Sequence, residues 1–454
     1  MSKTQTTEKR GSFTGKLGFV LAAAGSAVGL GNIWRFPYLA AKYGGGIFLL
    51  VYLILAVTLG FALMAAEILI GRKTGLSAIG AFKKLDKRFS FIGILAAIVP
   101  AIILPYYCVI GGWVAKYIGV FISGKSHAAA GDSYFGDFIG GTAQPIGWFL
   151  IFLGLTALVV LFGVEKGVER VSKVMMPLLV IMIIGVTVYV LCQPGAIDGV
   201  KYYLIPDFSH FKATTILAAM GQLFYSMSLA MGIMITYGSY MKKDVNVESS
   251  VHNIEIFDTG IAFLAGLMIV PAVTASGADM GKGPGLMFAV LPKVFDKMSG
   301  GTIIGLVFFV LVFFAAITSS ISLMETVVSI VKDKFKVSRT VSCILVFIFC
   351  IVLGIPSALS QGGILSHITI IKMPFLDFFD FISNSVLMPI VALVTCIFVG
   401  YFLKPKALIE EAEIEGNKFT AKKLFTVVIK YIAPVCIILI LGFSVLEALG
   451  IIKV

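Results

Sequence analysis

The chain has 454 residues, of which 59% are hydrophobic and 13% are charged, and its mean hydropathy is +1.01. This composition excludes an ordinary soluble globular protein, in which charged residues make up about a quarter of the chain. The formal net charge of +12 would suit an acidic partner. However, the basic residues cluster in alternate loops between apolar runs, so membrane topology explains the excess and nucleic-acid binding is not expected.

Apolar runs long enough to cross a bilayer recur along the whole chain, and we expect about eleven membrane spans. The sequence therefore predicts an all-α polytopic membrane protein that forms a single domain over residues 1–454. One run is long for a single helix, and a proline and two glycines place its second half in an external loop. The runs are Leu17–Tyr38, Ile47–Ala66, Phe91–Ala115, Pro145–Gly163, Met175–Cys192, Thr214–Met241, Ile261–Ala275, Ile303–Met324, Val341–Ile371, Phe381–Leu403 and Tyr431–Ile452.

The loops between these runs alternate between rich and poor in Lys and Arg. Rich loops include Arg72–Arg88, Lys166–Lys173 and Lys332–Arg339. Because cytoplasmic loops carry the basic excess, we expect a multi-pass protein of the cell (inner or plasma) membrane with a cytoplasmic N-terminus and an extracytoplasmic C-terminus. Residues 1–16 are polar and show no cleavable signal. The polar stretch Lys404–Lys423, which carries Glu410, Glu411, Glu413 and Glu415, is predicted to be a solvated linker.

Six cysteines lie in or at the edges of the apolar runs. None forms a CxxC pair, so a metal or redox role is not expected and packing in the core is the simpler interpretation.

The first apolar run is interrupted where a spanning helix should continue. Gly25, Gly29 and Gly31 weaken a helix, by roughly 1 kcal/mol each relative to alanine. Asn32 and Arg35 follow, and both side chains are costly in hydrocarbon. Broken backbone at membrane depth is tolerated only where protein or a water-filled cavity covers it. This segment therefore predicts a binding site made of freed backbone groups.

The sixth run is interrupted as well, with Gln222, the Tyr225–Ser228 segment and Gly232 near its middle. The two interrupted runs lie five spans apart, so the corresponding helices point in opposite directions. Such a pair is the best sequence indication of the substrate site of a secondary transporter. Serines that bond the preceding helical turn are the alternative explanation for the sixth run.

Three segments resemble the neurotransmitter:sodium symporter family, in particular its bacterial amino-acid transporters of the LeuT type: Gly25–Pro37, Gly221–Gly232 and Ala315–Ser320. The resemblance implies the LeuT-type fold, with two inverted five-helix repeats, an eleventh helix, and helices 1 and 6 unwound at the midplane. We expect the repeats at residues 16–193 and 214–404 and the eleventh helix at 425–452. The implied activity is sodium-coupled uptake by alternating access.

The resemblance also implies a substrate site. It places the substrate carboxylate at the backbone N–H groups of Leu30 and Gly31, with a hydroxyl donor from Tyr107, which would otherwise be an ordinary buried tyrosine. The substrate-binding residues implied are Ser26, Ala27, Gly29, Leu30, Gly31, Ile103, Tyr107, Tyr225, Ser226, Ser228, Met231 and Leu323.

Two sodium ions are implied, each held by hard oxygen ligands. Asp258 would supply a fixed negative charge where chloride-dependent members carry a neutral residue, so no chloride requirement is expected. The alternative for Asp258 is a carboxylate at the cytoplasmic edge of the membrane. The implied ligands are Ala27, Asn32, Ser226 and Asp258 for sodium 1, and Gly25, Val28, Ala315, Thr318 and Ser319 for sodium 2.

Gates are implied on both sides of the site. They pair Arg35 with Asp380 on the outer side and Arg10 with Asp333 on the cytoplasmic side, where Ser239 and Tyr240 lie nearby. In the fifth run, Gly167 and Pro177 match a motif that allows local unwinding, with an ordinary proline kink as the alternative.

The expected substrate is a neutral hydrophobic or aromatic L-amino acid, because the implied pocket is apolar and uncharged. Alternatives are another small zwitterion or osmolyte, or a sensor that binds an amino acid without transporting it. An aspartate at the position of Gly29 would indicate an amine substrate. No nucleophile–base pair is apparent, so an enzyme is not expected. The partners expected are the substrate and membrane lipid, and a monomer should suffice for transport.

Overall fold

In the computed structural model, which describes residues 11–280 and 283–448, every long element is a helix. Among the described residues, nine helices are long and apolar enough to cross a membrane, and a bent pair makes ten. We count the two short helices Ala213–Ser226 and Ile233–Gly238, which lie where the sixth apolar run was predicted, as one further broken span. We number the spans as follows: span 1, Lys16–Ala27 with Gly31–Lys42; span 2, Gly46–Thr74; span 3, Lys87–Ile122; span 4, Ala143–Leu161; span 5, Val164–Leu191; span 6, Ala213–Ser226 with Ile233–Gly238; span 7, Val247–Ser276; span 8, Gly301–Phe335; span 9, Arg339–Leu359; span 10, Phe375–Leu403; span 11, Lys422–Phe443.

Span 1 is broken at the predicted place. Its two halves are bent by 55° relative to each other, and Val28 has extended backbone angles (φ −72°, ψ 97°). The glycine-rich sequence lowers the free-energy cost of this break, since glycine favours a continuous helix less than most other residues do.

Span 6 is broken by residues in the left-handed region. Ser228 has φ +52° and Ala230 has φ +60°, although neither is glycine. The left-handed conformation costs roughly 1–2 kcal/mol for such a residue. Tertiary contacts must offset this cost, and one of them is the N–H of Ala230, which donates to Glu67 Oε1 of span 2 at 2.6 Å.

Close helix packing holds the spans around the two breaks. Span 3 packs against spans 4 and 8, and span 1 packs against spans 7 and 8. A Cβ at Gly305 of span 8 would lie 2.1 Å from the ring of Phe121 in span 3. Small residues at such crossings allow the close approach by which membrane helices associate. Of the cysteines, Cys108, Cys343, Cys350 and Cys396 are buried, whereas Cys192 is exposed.

Several helices extend beyond their predicted limits, and in three of them the added residues include a buried carboxylate. Span 7 begins at Val247 instead of Ile261, so Asp258 lies well inside it and is 0% exposed. The runs predicted for spans 2 and 8 each stop one residue before a carboxylate, Glu67 and Glu325, both of which are buried within continuous helix.

The prediction of a solvated linker at Lys404–Lys423 is wrong. Its helix Pro405–Ala412 docks on the end of span 2, where Arg72 Nε lies 3.2 Å from Glu411 Oε1. The two side chains are 0% and 4% exposed. Lys243 Nζ lies 2.5 Å from the same carboxylate oxygen. The charged residues of this stretch suggested solvation, but one of its carboxylates is buried and pairs with two basic side chains.

We expect Glu411→Gln to lower the free energy of unfolding by about 3 kcal/mol, because it leaves Arg72 buried without its counter-charge. Thermal unfolding of the purified protein in detergent measures this. Glu410→Gln is the control, since Glu410 is 63% exposed and lies 3.9 Å from Lys406. The control should change stability by less than about 1 kcal/mol. Equal effects of the two variants would contradict the role of the buried pair.

Candidate functional site

A small cavity lies where the breaks of spans 1 and 6 face spans 3 and 8. All twelve residues predicted to bind substrate line it, and Asn32, Ile233 and Ser319 complete the wall. None of these side chains carries a formal charge. The structure thus brings the predicted substrate residues together, although their binding roles remain predictions. The predicted set is Ser26, Ala27, Gly29, Leu30, Gly31, Ile103, Tyr107, Tyr225, Ser226, Ser228, Met231 and Leu323.

One side of the cavity offers hydrogen-bond donors. The N–H of Leu30 donates to the Tyr107 hydroxyl at 3.2 Å. Gly31 begins the outer half of span 1, so its N–H has no acceptor within that half-helix. A helix start also carries a partial positive charge. These groups form a site suited to a carboxylate.

Two glycines leave room for this donor group. A Cβ at Gly29 would lie 2.8 Å from Ser319 Oγ and 2.9 Å from the Tyr107 hydroxyl. A Cβ at Gly31 would lie 2.5 Å from two ring carbons of Tyr225. Any side chain at either position would push into the space beside the donors.

Asp258 is the charged group behind the cavity wall. Its Oδ1 accepts hydrogen bonds from Asn32 Nδ2 at 2.7 Å and from Ser226 Oγ at 2.8 Å. Its Oδ2 accepts one from the Tyr52 hydroxyl at 3.3 Å. The carboxylate is buried, and Asp258 lies within the helix Val247–Ser276 and not at its start. Three of the four residues predicted for sodium 1 are therefore in contact, and Ala27 lines the cavity beside them.

The residues predicted for sodium 2 also converge. Ser319 Oγ lies 3.3 Å from the Gly25 carbonyl oxygen, 3.0 Å from that of Ser26 and 3.2 Å from that of Val28. A hydroxyl has one proton, so it satisfies one of these three acceptors at a time. The break therefore has more carbonyl oxygens than the Ser319 hydroxyl can satisfy, and a cation bound there would be stabilised by them. Thr318 precedes Ser319 in span 8, and its Oγ1 lies 3.2 Å from the Ala315 carbonyl oxygen.

The part of the cavity away from the donors is mostly apolar. Ile103, Met231 and Leu323 line it, and its hydroxyl groups bond to one another or to the backbone. Ser26 Oγ lies 3.2 Å from Ser228 Oγ, and Ser228 Oγ donates to the Ser26 carbonyl at 3.0 Å. The serines are thus occupied locally, and an apolar group can fill the remaining space.

The outer gate residues have separate partners. The Arg35 guanidinium lies over the Tyr225 ring, 5.3 Å from its centroid. Asp380 accepts hydrogen bonds from the Tyr106 hydroxyl at 3.2 Å and from Asn384 Nδ2 at 2.7 Å. Within the described ranges Arg35 and Asp380 do not form an ion pair, so their gate role stays a prediction.

On the opposite side, Arg10 lies outside the described residues. Asp333 accepts a hydrogen bond from the Ser77 N–H at 3.0 Å. The Tyr240 hydroxyl donates to Glu325 Oε1 at 2.8 Å, and Glu325 pairs with Arg339.

Arg339 Nε also donates to the Val160 carbonyl at 2.8 Å, at the end of span 4. This network therefore joins spans 4, 6, 8 and 9.

Sequence reasoning missed Glu67, Glu325 and Arg339. Both glutamates interrupt otherwise apolar sequence, and this pattern could have indicated a structural or functional role, because ionisable residues inside spanning helices are rare unless paired. The predicted apolar runs of spans 2 and 8 instead end one residue before the two glutamates.

The start of span 5 departs from regular α-helix. Val164–Glu169 forms a wider, π-helical turn that contains Gly167, and a Cβ there would lie 2.1 Å from the Val159 carbonyl oxygen. Pro177 lies in the regular helix that follows.

Comparison with known proteins gives a consistent result. The model of the sodium:neurotransmitter symporter family matches residues 10–127 and 140–451. An uncharacterized sodium-dependent transporter of Bacillus subtilis, YhdH, is 37% identical over 450 residues, which are 95% of this chain and 97% of that protein. The sodium- and chloride-dependent taurine transporter of Canis lupus familiaris is 27% identical over 384 residues, 72% of this chain and 61% of that protein.

A solved structure shares the fold. The crystal structure of MhsT in complex with L-phenylalanine matches with a TM-score of 0.87 and 38% sequence identity, covering 96% of this chain and 99% of that one. The predicted LeuT-type fold is confirmed by this match.

We expect Gly31→Ala to lower the free energy of unfolding by about 1–3 kcal/mol, since its methyl group overlaps the Tyr225 ring. Gly221→Ala is the matched control, because a Cβ at Gly221 meets no atom within 4 Å. In a helix this control should be neutral or stabilising by up to about 1 kcal/mol. Thermal unfolding measures both, and a neutral Gly31→Ala would show that the cavity wall is not closely packed.

Proposed function

The chain belongs to the sodium:neurotransmitter symporter family, and from this premise we propose that it takes up neutral hydrophobic or aromatic L-amino acids by alternating access. It is a sodium-dependent, multi-pass membrane transporter and not an enzyme. The proposal concerns its substrate, its ion ligands and its orientation in the membrane.

The uncharged cavity with donors at one end is the observation that carries the proposal. A zwitterionic amino acid would place its carboxylate at Leu30, Gly31 and Tyr107 and its side chain among Ile103 and the other apolar residues. A charged side chain would be buried without a partner and is therefore disfavoured. The L-phenylalanine bound to MhsT supports an aromatic substrate. Met231 is flexible enough to adapt to such a ring.

We propose that two sodium ions are carried with the substrate. Sodium 1 would take oxygens of Ala27, Asn32, Ser226 and Asp258, and would also contact the substrate carboxylate. Sodium 2 would take the carbonyl oxygens of Gly25 and Val28 at the break and that of Ala315 in span 8, with the hydroxyls of Thr318 and Ser319. The contact between sodium 1 and the carboxylate would couple ion binding directly to substrate binding.

The buried carboxylate of Asp258 favours transport without chloride. A fixed negative charge beside sodium 1 supplies the charge balance that an anion would otherwise provide. In this respect the chain would differ from its chloride-dependent taurine-transporting relative.

That relative also favours a second candidate substrate, a small zwitterion or osmolyte such as taurine. An amine is disfavoured, because Gly29 stands where an aspartate would pair with the ammonium group. A larger side chain there would have no room beside Ser319 and Tyr107. A non-transporting amino-acid sensor would have the same cavity, so transport itself must be measured.

Alternating access would use the two inverted repeats, 16–193 and 214–404, with span 11 beside them. We propose a cytoplasmic N-terminus, an extracytoplasmic C-terminus and a functional monomer in the cell membrane. We propose that opening of the site to the outside separates Arg35 from Asp380, and that opening to the inside separates Arg10 from Asp333.

Uptake by proteoliposomes tests the substrate class. Labelled phenylalanine, leucine, tryptophan, glutamate, lysine and taurine are compared with an inward sodium gradient and with potassium in its place. We expect sodium-dependent accumulation of phenylalanine, tryptophan and leucine and little uptake of glutamate or lysine. Preferred taurine uptake would support the osmolyte alternative. Binding without sodium-dependent uptake of any amino acid would contradict the transporter proposal.

Replacement of chloride by gluconate should leave uptake unchanged. Asp258→Asn should weaken the apparent sodium affinity by at least about tenfold, because interactions with a charged group are worth about 1.5–3 kcal/mol. Asp198→Asn is the control, since Asp198 is 75% exposed. Loss of wild-type uptake in gluconate, or unchanged sodium affinity in Asp258→Asn, would contradict the proposed role of Asp258.

A further inference from the structure

A second cavity lies far from the substrate site, between the end of span 10 and the start of span 11. It has a volume of about 1040 Å³, and its charged lining residues are the lysines 404, 406, 422 and 430 and the glutamates 410 and 413. We refer to it as the basic cleft. Nothing in the proposed transport cycle uses it.

The two glutamates offset half of the positive charge of the four lysines. Lys422 Nζ lies 2.7 Å from Glu413 Oε1, and Lys406 Nζ lies 3.9 Å from Glu410 Oε1. In the described part of the chain, Lys404 and Lys430 have no carboxylate within ion-pair distance. The cleft therefore keeps two positive charges for which the protein provides no counter-charge there.

Lys430 is the more unusual of the two. It lies inside span 11 and is partly buried. Tyr401 donates a hydrogen bond to its carbonyl at 2.8 Å, and a Cβ at Gly400 would lie 3.4 Å from its Cγ, so its backbone is held against span 10. An ammonium at this depth is costly unless it meets water or an anion.

The surroundings of the basic cleft are those of a bilayer interface. Tyr401 is 52% exposed, Tyr431 is 60% exposed, and Phe402 and Val427 are 50% and 46% exposed. Tyrosine is enriched at the depth of the lipid headgroups. Exposed apolar side chains beside a cationic cleft fit an amphipathic ligand, with an anionic head and hydrocarbon chains.

We propose that the basic cleft binds the phosphate group of an anionic phospholipid from the leaflet that faces the lysine-rich loops. The ammonium groups of Lys404 and Lys430 contact the phosphate, and the acyl chains lie along Phe402 and Val427. Basic pockets between membrane helices on the cytoplasmic side are suited to such headgroups. This inference does not depend on which substrate is transported.

Native mass spectrometry of the full-length protein in detergent tests the proposal. The protein is titrated separately with phosphatidylglycerol, phosphatidylcholine and inorganic phosphate. We expect bound phosphatidylglycerol at concentrations where phosphatidylcholine does not bind. The variant Lys404→Gln/Lys430→Gln should bind phosphatidylglycerol at least about tenfold more weakly, since each lysine near anionic lipid contributes roughly a factor of five.

The matched control is Lys87→Gln/Lys166→Gln, which removes two exposed lysines at the starts of spans 3 and 5, on the same predicted face. It should bind phosphatidylglycerol like the wild type. If the double variant does not fold, Lys404→Gln alone, at an exposed position, should still weaken binding severalfold. Equal binding of both phospholipids, equal losses in variant and control, or binding of inorganic phosphate that competes with lipid at equal concentration would each overturn the proposal.

Discussion

Every backbone polar group inside a membrane needs a partner, and this requirement governs the centre of the molecule. The breaks in spans 1 and 6 free N–H and carbonyl groups that a continuous helix would have paired. Some are satisfied by the protein: Gln222 Nε2 donates to the Gly31 carbonyl at 3.1 Å, and Glu67 accepts the N–H of Ala230. The others face the cavity and give it its chemistry.

The freed groups are separated by type. N–H groups of Leu30 and Gly31 lie at one place and suit an anion, whereas the carbonyl groups around Ser319 lie at another and suit a cation. Asn32 connects the two regions, because its Oδ1 accepts the N–H of Gly29 at 3.0 Å while its Nδ2 donates to Asp258. One side chain therefore links Asp258 to the backbone beside the proposed carboxylate site.

Glycines and polar residues inside apolar runs mark the two breaks directly in the sequence, whereas the fold and the individual residues of the cavity wall were predicted from the resemblance to the symporter family. The buried pairs could not be predicted. Glu325 with Arg339, and Glu411 with Arg72, join residues from different helices, and the sequence does not show which carboxylate meets which guanidinium. A charge in isolation predicts the end of a helix or a solvated loop. Only the tertiary structure shows that its partner makes burial tolerable.

Backbone groups provide many of the proposed contacts to the carboxylate and to sodium, and this has an evolutionary consequence. Substitution cannot remove a peptide group, so mutations at Ile103, Met231 or Leu323 can reshape the pocket while those contacts persist. On these proposed contacts, selectivity and energy coupling would be largely independent traits. A transporter of this architecture could then change its substrate by single substitutions without losing sodium-driven accumulation, which would make the pocket a practical target for directed evolution.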